Sequence, residues 1–219
     1  MLKAVIFDMD GTLLDTERVS VAAWRSAARS LGLEIEEDFI IGLFGMNRTV
    51  IDERFLARYG ADFPIGEIRE RRSAEMARVF ALQPIPVKSG ARELLTQVRA
   101  LGLKTALATG TDLEKARPLL EKAELWPLLD TAISGSMVPR GKPAPDIFLA
   151  AAKQCRCEPA EALVVEDADN GVRAALAAGC HVAVVPDLRA PDPSLAARAD
   201  GVFPTLREVA GLVNALAKG

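Results

Sequence analysis

Ala4-Val5-Ile6-Phe7-Asp8-Met9-Asp10-Gly11-Thr12-Leu13 decides the fold. Four apolar residues run without alternation, stop at an aspartate and meet a turn signal at Asp10-Gly11. A short run that is apolar on both faces suits a central strand of a parallel sheet. From residue 16 to about 83 no strand pattern follows. Helical periodicity covers residues 17–31, closed by Gly32, and residues 47–59, closed by Gly60, with Asn47 placed to cap the second. A third helix is predicted over residues 65–82, and Pro84 and Pro86 then read as a linker. The charge run Glu67-Ile68-Arg69-Glu70-Arg71-Arg72 reads as a solvated helix face. Trp24, Phe44 and Phe55 supply core candidates for this helical stretch.

Past Val87 the chain alternates. Helical patterns fall at residues 91–101, 146–153, 171–178 and 206–216, and strand patterns at 104–109, 132–134, 162–165 and 181–185. Thr111-Asp112-Leu113-Glu114 reads as a T-x-x-E capping box opening one more helix. Such alternation implies an α/β fold, a Rossmann-like parallel sheet with helices on both faces and right-handed crossovers. The all-α stretch is an insertion after the first strand. Residues 1–15 and 84–219 are therefore expected to form the core domain, and residues 16–83 a helical domain.

Composition narrows the function. The chain has 219 residues, half of them hydrophobic, enough for one sizeable core plus a satellite. Its formal charge of −3 carries no basic footprint for nucleic acid. The N-terminal apolar run is too short for a signal peptide, and no segment approaches the ~20 apolar residues that span a bilayer. A soluble, cytoplasmic, monomeric protein is expected, with no nucleic-acid or membrane partner. Cys155, Cys157 and Cys180 make an odd count without a disulfide framework, and His181 is the only histidine, so zinc lacks ligands. A Ser-His-Asp or Cys-His catalyst would have to be built on His181 alone, inside a strand pattern.

In open parallel sheets, ligands bind beyond the carboxyl ends of the strands. The predicted strands end at Asp8, with Asp10 two residues on; at Thr109-Gly110-Thr111; before a loop carrying Lys142; and at Glu166-Asp167. Clustered carboxylates repel by about 4 kcal/mol per pair at 4 Å and an effective dielectric of 20, so they need protonation, a lysine or a cation. Oxygen-only ligands favour magnesium over zinc, and magnesium commonly meets phosphate oxygens. Lys142 can neutralise phosphate charge, Thr109 can donate its hydroxyl, and the Gly110 and Thr111 amides open a helix whose start attracts anions. In Asp8-x-Asp10 one carboxylate can attack phosphorus while the other handles the leaving-group proton. Gly11 lets the backbone turn close to a substrate.

At these residues the chain resembles the haloacid dehalogenase-like superfamily. Phe7-Asp8-Met9-Asp10-Gly11-Thr12-Leu13 is similar to its D-x-D-G-T signature. Thr109 resembles the second motif, Gly141-Lys142-Pro143-Ala144-Pro145-Asp146 the third, and Glu166-Asp167-Ala168-Asp169-Asn170-Gly171 the fourth. The helical insertion resembles the family's cap domain, and Gly45-Met46-Asn47-Arg48 the G-x-x-R element of the β-phosphoglucomutase-like phosphatases. The resemblance implies Asp8 as nucleophile and Asp10 as acid/base. It implies Mg2+ held by the Asp8 side chain, the Asp10 carbonyl and Asp167, with Glu166 at or beside the metal. Thr109 and Lys142 would hold phosphate, with Gly11, Gly110, Thr111 and Arg48 also facing a small phosphate ester. Two departures stand out. Ala168 replaces the usual serine of the fourth motif, and Ser20 stands where the mutases carry a histidine.

The implied activity is hydrolysis of a small phosphomonoester, a sugar phosphate or similar, through an aspartyl-phosphate. Two alternatives remain open: a sugar phosphomutase using the same intermediate, and a non-enzymatic phospho-acceptor of the receiver type. Taken singly, Asp10-Gly11 reads as a plain turn, Lys142 as a surface lysine and Arg48 as half of a surface salt bridge.

Overall fold

The computed structural model describes residues 1–46 and 48–218, so Asn47, the expected cap, lies outside the described residues. The chain divides into two compact units, Met1–Asp15 with Ile85–Gly219, and Thr16–Pro84.

The first unit is a six-stranded sheet in the order β3-β2-β1-β4-β5-β6. Its strands are β1 (Ala4–Phe7), β2 (Lys104–Thr109), β3 (Thr131–Ser134), β4 (Ala162–Glu166), β5 (His181–Val184) and β6 (Gly201–Val202). Every pairing is parallel, and β1 lies between β2 and β4, with Ala4 opposite both Lys104 and Ala162. All four residues of β1 are buried, as its unbroken apolar run requires. Alternate residues serve opposite faces. Ala4, Ile6, Ala106, Ala108, Val164 and Val182 join one core with Ile147 and Phe148 of α7 (Asp146–Gln154) and Val172 of α8 (Asp169–Ala178). Against the sheet also pack α5 (Ala91–Ala100), which lies on β2, and α10 (Leu206–Lys218), which lies on α5.

Three local findings depart from the sequence patterns. β6 is two residues long, below the length at which alternation is readable. The short α9 (Pro193–Ala196) starts with Asp192 accepting the Ser194 amide and with Pro193 in its first turn, a cap signal passed over in the sequence. The helix α6 (Leu113–Lys122) has Asp112 at its N-cap and no side-chain cap bond, so the expected Thr111 capping box is not made.

The second unit holds α1 (Thr16–Arg29), α2 (Glu37–Ile41), α3 (Arg48–Tyr59) and α4 (Ile65–Leu82). The short α2 had no sequence signal long enough to assign it. Phe55 is fully buried and meets Trp24 at 5.0 Å, Phe39 edge-on at 5.1 Å and Phe63 stacked at 5.6 Å between ring centroids. Phe44 is half-buried. The charge run in α4 is not a solvated face throughout. Ile68 is buried, Arg69 pairs with Asp52, and Arg72 lies 5.1 Å over the Trp24 ring. Helical spacing turns these residues inward, where their long stems cover apolar surface. No helix among the described residues is long and apolar enough to cross a membrane.

Candidate active site

Because β1 to β4 are parallel, their carboxyl ends share one edge of the sheet. Asp8 follows β1 directly, and its amide still donates to Val165 O at 3.1 Å. The chain then folds back sharply: the amides of Leu13 and Leu14 both donate to Met9 O, each at 2.9 Å. This turn needs Gly11, at φ 81°, where a Cβ would also come within 2.4 Å of Asp167 Oδ2. Thr12, fully buried, donates its hydroxyl to Asp167 Oδ1 at 2.8 Å. The turn is fixed from below by the Lys88 amide donating to Leu13 O at 3.0 Å.

Lys142 reaches into the centre from the loop after β3. Its ammonium donates to Asp8 Oδ1 at 2.5 Å, Glu166 Oε1 at 2.6 Å and Ala108 O at 3.0 Å, which uses all three hydrogens. Glu166, the last residue of β4, spends its other oxygen on the amides of Asp167 at 3.1 Å and Ala168 at 3.2 Å. Ala168 thus contributes through its backbone. Thr109, ending β2, accepts the Thr111 amide at 3.0 Å on its hydroxyl. The Thr111 hydroxyl in turn donates to Asp10 Oδ2 at 2.7 Å.

Buried carboxylates dominate the electrostatics of the site. Asp8, Glu166 and Asp167 are all buried, and each offers a carboxylate oxygen within 4.8 Å of the others'. One ammonium does not balance three such charges. Burial pushes the Asp8 acid up to about 7, against the pull of Lys142. Burial works against the Lys142 ammonium, but Asp8 and Glu166 overcome it and raise its pKa. An all-oxygen cluster with a charge deficit is a fitting seat for a hard divalent cation.

The structure therefore brings Asp8, Asp10, Gly11, Thr109, Thr111, Lys142, Glu166 and Asp167 to one sheet edge, with Gly110 in the β2–α6 turn. Arg48 belongs to the helical unit, where it is exposed and 3.9 Å from Asp52. His181 opens β5 and so lies at the amino edge, bonded to Asp200 at 2.8 Å. Thr12 and Gly171 take part without having been assigned roles from the sequence, although both lie inside the motif stretches. Lys88 and Asp187 form a half-buried pair at 2.7 Å that no sequence pattern signalled.

The haloacid dehalogenase-like hydrolase profile matches residues 2–179. The chain belongs to that family. Among its relatives is a phosphorylated carbohydrates phosphatase of Thermotoga maritima, 33% identical over 81% of this chain and 82% of that protein. Another is the fructose-1-phosphate phosphatase YqaB of Escherichia coli, 34% identical over 80% of this chain and 92% of that one. CbbY of Rhodobacter sphaeroides, solved in complex with xylulose-(1,5)bisphosphate, superposes with a TM-score of 0.78 at 27% identity, over 95% of this chain and 96% of that one.

Proposed function

We propose that this hydrolase cleaves a small phosphomonoester, a sugar phosphate or similar, through an aspartyl-phosphate on Asp8. The observation that carries the reading is the buried Asp8 carboxylate gripped by Lys142, with Asp10, Thr109 and Asp167 on the same sheet edge. The relatives named for phosphorylated carbohydrates and fructose 1-phosphate support the substrate class.

In the first step an Asp8 oxygen bonds to phosphorus as the ester P–O bond breaks, and Asp10 gives its proton to the departing oxygen. Lys142, turning one of its three N–H groups from Asp8 to the substrate, and the Thr109 hydroxyl hold the phosphoryl oxygens. The Thr109 oxygen already accepts the Thr111 amide, which leaves its hydrogen to donate to the substrate. In the second step Asp10 takes a proton from water as that water attacks phosphorus, and the Asp8–phosphorus bond breaks. Asp8, Asp167 and the Asp10 carbonyl would hold magnesium, with Glu166 beside them tying Lys142 to the β4 loop. The ion supplies neutralisation of phosphate charge.

Ser20 favours hydrolysis over a mutase. It stands where the mutases carry a histidine, and its hydroxyl accepts from the Arg72 guanidinium at 2.7 Å inside the helical unit. Phosphate release from a panel of sugar phosphates tests the reading. Wild type with magnesium should release phosphate, and both a chelator and Asp8→Asn should cut release by about a thousandfold or more. Equal release from Asp8→Asn sinks it.

A further inference from the structure

Thr111 would be expected to cap α6, since Thr111-Asp112-Leu113-Glu114 has the capping-box spacing. Instead the helix starts at Asp112 without a side-chain cap bond. The cap position falls on Asp112, one residue later, so the Thr111 hydroxyl has no capping role and is directed elsewhere. It donates to Asp10 Oδ2 at 2.7 Å, bridging the end of β2 to the loop after β1.

From this we propose that Thr111 is a positioning residue for Asp10, aiming its carboxyl at the oxygen that leaves in the first step. The inference rests on the aspartyl-phosphate reading and deepens it. Three features support it. The Thr111 amide is anchored on the Thr109 hydroxyl at 3.0 Å, so the bridge is built from the strand end that also faces the phosphoryl group. Threonine is β-branched, which limits its χ1 and fixes the direction of its hydroxyl better than serine would. Asp10 sits beyond the strand in a loop, where a carboxyl has more rotamer freedom than on a packed element and gains most from a tether. A carboxyl that delivers a proton must lie within hydrogen-bond reach of the atom receiving it, so a small loss of aim costs rate at the steps in which Asp10 moves a proton.

A comparison of two leaving groups separates aim from other roles. A sugar phosphate expels an alkoxide that needs Asp10's proton. p-Nitrophenyl phosphate expels a stable phenolate that needs little help. Because kcat/KM reports on the first step, the ratio of the two values isolates proton delivery. Thr111→Val keeps the side-chain shape without the hydroxyl and should lower the sugar-to-aryl ratio about tenfold, the equivalent of one hydrogen bond. Thr111→Ser should keep the ratio within about threefold of wild type. If Thr111→Val lowers both substrates in the same proportion, Thr111 holds phosphate or structure and the proposal is overturned. An unchanged pair of values overturns it equally. Wild type that releases no more phosphate than Asp8→Asn overturns the underlying reading instead, and Thr111's role with it.

Discussion

Gly171 lies in the first turn of α8, where alanine would ordinarily stabilise a helix by about 1 kcal/mol. Here the sign reverses. A Cβ at Gly171 would fall 1.8 Å from Glu166 Oε1 and 1.9 Å from its Cδ, so the glutamate would have to swing away. With it would go one of the Lys142 anchors and the acceptor of two loop amides. Gly171→Ala should lower stability by about 1–3 kcal/mol, as overpacking does, and should cut phosphate release at least tenfold. A melt and assay matching wild type would contradict this. The four motif stretches made most of this site legible from the sequence, because Asp8, Thr109, Glu166 and Asp167 stand at or just past the end of an apolar strand, whereas Lys142 lies eight residues past β3. What they could not show was which carboxylate meets which cation. That depends on where the Lys142 ammonium comes to rest, and only the packed fold decides it. The Lys88–Asp187 pair was invisible for the same reason, since neither residue carries a local signature.

At the scale of elements, long periodic helices and unbroken apolar strands were readable, and short pieces were not. α4 spans the residues its period foretold, yet Arg69 and Arg72 turn inward, because charge alone does not tell which helical face a long side chain covers. α2 and β6 are held by tertiary contacts rather than propensity, so no window of sequence announces them. In the helical unit α3 buries one residue, Phe55. Phe55→Ala removes a fully buried ring that touches Trp24, Phe39 and Phe63. It should destabilise that unit by about 3–5 kcal/mol, giving a separate early unfolding transition by calorimetry. A single transition at the wild-type temperature would show that this cluster does not hold the unit together.

For the whole molecule, the buried thiols set a stability limit at high pH. All three cysteines are free, and burial pushes Cys155 and Cys180 up to about 12 from 9.0. Above pH 9 the unfolded chain gives up these protons while the folded chain keeps them, so unfolding gains free energy as pH rises towards 12. Below pH 9 both states hold the protons and these groups contribute no pH dependence. Denaturant midpoints at pH 8, 9.5 and 10.5 should fall along that series, and Cys155→Ala with Cys180→Ala should flatten the fall. An unaltered slope in the double variant would assign alkaline loss to other groups.

The position of β1 in the middle of the sheet has a consequence during synthesis. Ala4 must wait for Lys104 and Ala162 to leave the ribosome before it gains neighbours on both sides. At roughly 5–20 residues per second that wait lasts on the order of ten seconds or more. Through that interval Ala4-Val5-Ile6-Phe7 is a bare greasy tag on a nascent chain. It is a stretch that a chaperone has reason to shield, and Asp8 at its end is housed only once β4 has followed.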